Sequence, residues 1–348
     1  MQVDGYIQAL KDDLNGVAQL GLVGPDQGLH PTFTVAERTH GGRASDPPRS
    51  IGTVEATVRT SIAVLRAGTD VEGVFACTRK ERLTARNGSG YLSVELRDRT
   101  GAIAARAFRE ADFLAGQFER GELVWVSGRV ERFRGELQLE LRAIRSADAS
   151  GLDPADFLPS AYRDLDELDG FLEHLAREVY DADYRRLLAA FLADGALRAG
   201  LRSAPCTRGG HHAYLGGLLE HTVAVATLAQ DTCVLHPRLN SDLLITAAIV
   251  HDIGKTREFD LGAEIALSEE GRLLGHLALG QEIVAGLALG IEGFPHDKLL
   301  ALSHCILTHH GAEGVPSRRF GSPEALALYR LNALDAGVKG ALEHGLAA

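Results

Sequence analysis

The chain has 348 residues, 45% of them apolar and 24% charged, with a formal net charge of −11. That length suits two ordinary domains, each with its own core, and the acidic balance excludes a protein that holds nucleic acid by bulk positive charge alone. The charge is uneven, however: Asp70 to Asp148 carries 14 Lys and Arg against 13 Asp and Glu, which leaves −12 for the rest. Cys77, Cys206, Cys233 and Cys305 form no C-x-x-C pair, a pattern that fits reduced thiols better than a disulfide frame or a zinc knuckle. "MQVDGYIQAL" lacks a basic, apolar leader, and no apolar run approaches the ~18 residues of a membrane span. A cytoplasmic protein with no membrane partner is expected.

In chain order, residues 1–67 show weak periodicity and contain "HGGRASDPPRSIGT" (His40 to Thr53). A poorly ordered extension and linker is expected there. Residues 68–148 read as strands: "YLSVELRD", "GAIAARAFR", "GELVWVSGRVERFR" and "GELQLELRAI" are parted by Gly-containing turns. "RNGSG" (Arg86 to Gly90) is a hairpin signal, because Asn-Gly tolerates positive φ. Five or so strands with a helical patch at "EADFLAGQF" predict a small closed barrel. A linker is expected over 149–163. From 164 to 348 the period is helical, with separate helices at "LDGFLEHLAREVY", "ADYRRLLAAFLAD", "YLGGLLEHTVAVATLAQDTCVL", "SDLLITAAIV", "LGHLALGQEIVAGLAL", "HDKLLALSHCILTHH" and "PEALALYRLNALDAGVKGAL". The fold class is therefore multidomain α+β, a small β-barrel followed by an all-α domain.

Most of the 14 histidines lie in the helical half. Five places stand out: His221, His251-Asp252, His276, His309-His310, and the pair Asn332-x-x-Asp335. All fall at or near helix ends or on helix faces bordering the core. A helical domain builds a metal site by aiming such side chains inward from several helices. Imidazoles and carboxylates suit manganese, iron, cobalt, nickel or zinc. His174, His236, His296, His304 and His344 are read instead as structural residues. On the barrel, Phe75, Tyr91, Phe108, Trp125 and Phe133 are available for base stacking, with Arg79, Lys80, Arg82, Arg129, Arg132 and Arg134 for phosphates. Phe133, between Arg132 and Arg134 at a hairpin, is the chosen exposed stacker.

The order His221, His251-Asp252 and Asn332/Asp335 resembles the HD-domain metallophosphohydrolases. "HHAYLGGLLEHT", "AAIVHDIGK" and "GRLLGH" together resemble one group of these, the YhaM-type 3′-to-5′ exoribonucleases, which carry an oligonucleotide-binding (OB) barrel ahead of the HD domain. The resemblance implies that His221, His251 and Asp252 bind a first metal. It implies that Asp252 bridges to a second, held by His276, His309 and His310. Lys255 would face the phosphate, and Arg208, His211 and His212 would line the substrate path. Gly254 is expected to let the chain turn close to the site. The implied cofactor is two divalent ions, manganese first. The implied partner is single-stranded nucleic acid, RNA preferred over DNA, cut to nucleoside 5′-monophosphates. The family presents its last ligand as Asp; here Asn332 stands at that position and Asp335 follows one turn later, so either could serve. "GAEGVPSRRFGSP" also departs from the family pattern. Rival readings are a cyclic-dinucleotide or nucleotide phosphodiesterase and a non-catalytic nucleic-acid-binding protein with a degenerate HD site.

Overall fold

The computed structural model describes residues 61–85 and 88–346. Five strands close into a barrel: β1 (Asp70–Thr84), β2 (Gly90–Asp98), β3 (Gly101–Ala107), β4 (Leu123–Phe133) and β5 (Glu136–Ser146). Their order around the barrel is β1-β2-β3-β5-β4, and the β3–β5 pair, which is parallel, closes it. The long β1 serves two neighbours: Asp70 to Ala76 pairs with β4, and Ala76 to Thr84 pairs with β2. Alternation decides what fills the interior. Leu92, Val94 and Leu96 of β2 and Ile103, Ala105 and Ala107 of β3 point inward and are buried, so their neighbours in sequence face out. A short helix α1 (Ala111–Ala115) and Phe118 add to this core.

The expected extension over 1–67 lies outside the described residues as far as Thr60. Its last seven residues belong with the barrel instead. Leu65 is buried in the barrel core, Ile62 packs against it, and the Ile62 amide donates to Asp98 Oδ2 at 2.8 Å. Two apolar side chains in a turn otherwise read as linker account for this. The linker expected over 149–163 is likewise packed, because Phe157 and Leu158 are buried.

The helical half contains α2 (Leu165–Arg177), α3 (Ala182–Ala193), α4 (Gly195–Ser203), α5 (Gly217–Leu235), α6 (Ser241–Val250), α7 (Lys255–Glu258), α8 (Glu269–Leu273), α9 (Gly275–Leu289), α10 (His296–Thr308) and α11 (Pro323–His344). Asp164, Asp181, Asp194 and Asn240 cap α2, α3, α4 and α6 by accepting backbone N–H bonds. Every residue of α6 from Leu243 to Val250 is buried, which makes it the central helix of the core. A hairpin of two short strands, β6 (Phe259–Leu261) and β7 (Ile265–Leu267), follows α7. The sequence reading missed this hairpin and α4, since three-residue strands are too short to show alternation and two glycines in nine residues weigh against a helix. The hairpin tip reaches the barrel: Ala263 is buried with Ala76, Leu123 and Phe157. Among the described residues no helix is long and apolar enough to cross a membrane.

Candidate functional site

The central helix α6 ends at Val250, and His251, Asp252 and Ile253 continue directly from it, all buried. α5, α9, α10 and α11 surround this end; the first three deliver the remaining histidines, and α11 delivers Asn332 and Asp335. Close approach is needed for that. A Cβ on Gly254 would lie 2.1 Å from the His276 carbonyl oxygen, and one on Gly217 would lie 2.2 Å from that of His212. Gly254 lies in the turn expected there, but with φ −59° the turn does not itself require glycine; what does is the close approach of the N-terminus of α9.

The hydrogen bonds of each ring show which nitrogen is free. His251 Nδ1 donates to the Ala248 carbonyl (2.8 Å) and His309 Nδ1 to the Ile306 carbonyl (2.7 Å). His221 Nδ1 donates to Asp335 Oδ2 (2.6 Å) and His276 Nδ1 to Glu258 Oε1 (3.0 Å). All four therefore turn an Nε2 lone pair toward one centre. His221 Nε2 lies 3.3 Å from His251 Nε2, 3.0 Å from Asn332 Oδ1 and 3.5 Å from Asp252 Oδ2. On the other side, Asp252 Oδ1 lies 3.2 Å from His309 Nε2 and 3.6 Å from His276 Nε2, which is 2.9 Å from His310 Nε2. Asp252 thus joins two clusters of acceptors, one through each carboxylate oxygen.

Such clusters suit a divalent cation. Asp252 Oδ1 and His309 Nε2 are buried without a hydrogen-bond partner, an arrangement that costs free energy unless a cation sits among them. Metal–ligand bonds of about 2.1 Å place neighbouring donors roughly 3.0–3.4 Å apart, close to the separations observed. Burial pushes His309 down to about 3, so it is neutral and able to ligate at neutral pH. Burial pushes Asp252 up, but Lys255 and His251 outweigh it and hold the carboxyl well below its ordinary range.

Asn332 and Asp335, one helical turn apart on α11, take different places. The Asn332 amide donates to the His309 carbonyl (3.2 Å), which turns its Oδ1 toward His221 Nε2. Asp335 accepts from His221 Nδ1 and contacts His212 Nε2 at 3.1 Å, on the far side of the ring from the acceptor cluster. His212 continues outward to the Tyr214 hydroxyl (2.9 Å), which donates to Glu220 (2.8 Å), itself paired with Lys339 (3.0 Å). Lys255 is turned inward rather than toward open solvent: it is 4% exposed, with Nζ 2.7 Å from Asp252 Oδ2 and 3.4 Å from Cys206 Sγ. Burial pulls Lys255 down, and Asp252 outweighs it and holds the amine above its ordinary range. His211 is pushed down to about 3 by burial, and its ring lies 5.2 Å from that of His221. Arg208 lies in the loop between α4 and α5, four residues ahead of His212. His304, read as structural, accepts from the Gly321 amide (2.7 Å). The roles of Glu258, Tyr214, Glu220 and Cys206 were missed. Tyr214 and Glu220 lie inside the quoted "HHAYLGGLLEHT", but nothing in the spacing shows which partner each meets.

On the barrel, Tyr91 and Phe108 stack at 5.3 Å, and Arg106 lies over both Tyr91 and Phe133. Phe133 is 45% exposed and also meets Arg134 at 5.3 Å. Arg132 donates to the Gly135 carbonyl (2.9 Å). Other expected contributors are occupied. Phe75 fills the barrel core, and Arg79, Lys80, Arg82 and Arg129 pair with Glu81, Glu119, Asp112 and Asp70.

Two family models match: an OB-fold nucleic acid binding domain over residues 74–147, and the HD domain over residues 218–337. The chain is 30% identical to the 3′-5′ exoribonuclease YhaM of Shouchella clausii, over 78% of this chain and 85% of that one. It is 29% identical to YhaM of Oceanobacillus iheyensis, over 80% and 88%, and 30% identical to that of Listeria innocua, over 73% and 80%. The chain belongs to the YhaM family. The barrel is its OB-fold and the histidine-bearing helices are its HD domain.

Proposed function

We propose that the chain is a metal-dependent 3′-to-5′ exoribonuclease that releases nucleoside 5′-monophosphates from single-stranded RNA. The observation that carries this reading is the pair of acceptor clusters sharing Asp252. His221, His251, Asp252 and Asn332 would hold one divalent cation; Asp252, His276, His309 and His310 would hold a second, with manganese the first choice. Two such cations, when bound, lower the pKa of water toward neutrality and offset charge on phosphoryl oxygens. The protein residues orient and insulate this centre. Asp335 and Glu258 fix the tautomers of His221 and His276. Asn332 supplies a neutral oxygen where the family supplies a carboxylate, and Asp335 acts behind His221 instead of as a ligand. Lys255 holds Asp252 ionised and would face the phosphate of a bound strand. The barrel, over 68–148, would gather the strand on Tyr91, Phe108 and Phe133, with Arg106, Arg132 and Arg134 on its phosphates. The helical domain, over 164–348, would cut it. The localisation proposed is cytoplasmic.

The test is degradation of a 5′-labelled single-stranded RNA with added Mn²⁺, comparing wild type with Asp252→Ala. Stepwise shortening from the 3′ end, lost in the variant, is expected. Absence of turnover with every divalent metal tried, alongside retained RNA binding, would overturn the proposal.

A further inference from the structure

A cleft of about 530 Å³ opens where the barrel meets the helical half. Arg97 of β2, Arg120, Arg208 and Glu264 line it, together with Thr78 and Pro159. Three guanidiniums face one carboxylate there, in a protein whose net charge is −11. Two of the three are under-used. Arg97 gives one bond to the Ala263 carbonyl (3.2 Å), while its Nε is buried with no partner. Arg208 enters no hydrogen bond or ion pair among the described residues. Arg120 meets Glu264 only at 4.0 Å, with both side chains well exposed, a pair worth roughly 0–1 kcal/mol that an anion can displace.

The position of the cleft is as informative as its charge. Tyr91, Ser93, Glu95 and Arg97 share the outward face of β2, because Leu92, Val94 and Leu96 face in. Arg97 therefore lies six residues from Tyr91 on one face, roughly 20 Å along the strand. The outward neighbours on β3 near Arg97 are Ala104 and Ala102, both small, while Glu95 beside Arg97 is held by the Thr78 hydroxyl (2.7 Å). At the other end, the loop that brings Arg208 and Gly209 into the cleft also brings Cys206 within 3.7 Å of Asp252, and His211 against His221. One loop borders both the cleft and the metal centre.

We propose that this cleft is a phosphodiester subsite, in which Arg97, Arg120 and Arg208 hold the backbone of a single strand between the aromatic face of the barrel and the HD centre. This rests on the functional reading above. The guanidiniums are suited to the task, since each offers a fork of donors to phosphate oxygens and none carries sequence information. Arg97 and Arg120 thereby join the substrate-binding residues.

Binding of a labelled ~20-nucleotide single strand, blocked against cleavage by phosphorothioates at its 3′ end, is measured by anisotropy over a salt series with the full chain. Each lost phosphate contact lowers the steepness of log Kd against log salt by about 0.7. Arg208→Ala, which removes no internal bond, should lower it by about that amount, and Arg208→Ala with Arg97→Gln by about 1.4. Arg185→Ala, on α3 and outside the cleft, should match wild type. Slopes and affinities equal to wild type in both cleft variants would overturn the subsite. So would a loss confined to binding of a free nucleoside monophosphate, which would make the cleft a mononucleotide site. No turnover by wild type on unblocked RNA would overturn the exonuclease reading alone, because the binding arm needs no cleavage.

Discussion

On the barrel, the side chains offered to a ligand stand at the surface. Phe133 and Phe108 are 45% and 50% exposed, and the arginines beside them remain partly in water. In the helical half the polar residues are enclosed: His221, His251 and His309 are 0% exposed and Asp252 is 1%. The two regions therefore invest differently. Exposed aromatics and guanidiniums cost little to keep unliganded and can adapt to any base. Buried imidazoles and a buried carboxylate are costly unless every lone pair has a partner, so that centre must be built to one geometry. Affinity for the strand should then fail gradually as barrel residues are removed, whereas the centre should fail abruptly.

The sharpest test of that contrast is Asp252→Asn. Losing the one charge common to both clusters should reduce RNA turnover by at least ~1,000-fold and lower metal content by elemental analysis. Binding of the cleavage-blocked strand in chelator should stay within about threefold. A variant that keeps its metal content would break the assignment of Asp252 as the shared ligand.

On the barrel side, Phe133→Ala should weaken single-strand binding by about 1–3 kcal/mol, roughly 5- to 150-fold. Metal content should be unchanged. An equal loss of metal would show that the two regions are not separable.

Tyr214→Phe probes the chain of bonds behind His221. Removing the hydroxyl that links His212 to Glu220 should weaken metal binding by roughly tenfold, in the low range for outer partners of a ligand histidine. Titration calorimetry reads that affinity directly, and Glu220→Gln in the chain that keeps Tyr214, which preserves an acceptor for its hydroxyl, should lose less.

The smallest effect concerns acid stability in chelator. His211 and His309 are pushed down to about 3 by burial, while an unfolded histidine titrates near 6.5. Between those values the unfolded chain binds more protons, so stability is full above about pH 6.5 and is lost as pH falls toward 3. The melting temperature should decline over that window, and His309→Gln should make the decline shallower. No exposed barrel residue should alter the slope.

Much of this was readable from residue order. The strand alternation of "YLSVELRD" fixes which face of β2 lines the barrel interior, and "LLITAAIV", apolar but for Thr246, marks a central helix whose end carries His251 and Asp252. The histidines that meet around Asp252 are those singled out by position at helix ends. Other features left no local trace. Glu258 bonds His276 across 18 residues, and Cys206 reaches Asp252 across 46. The cleft arginines come from three separate segments, and of these only Arg208 was expected near the substrate; Arg97 and Arg120 alone read as solvated surface charges.

Asn332 and Asp335 mark the boundary between the two kinds of knowledge. Sequence by itself determined that both lie on one face of a helix, one turn apart, because a spacing of three residues nearly completes an α-helical turn. It also determined that the first of the two is a neutral amide and the second an acid. Only the tertiary structure decided which of them turns toward the acceptor cluster. The docking of α11 against α5 and α10 gives Asn332 the His309 carbonyl to bond and sets its oxygen beside His221 Nε2, while Asp335, roughly 4.5 Å further along the axis, meets Nδ1 on the other side of the same ring. A shift of one helical turn would exchange their roles, and no local pattern in the chain records that shift.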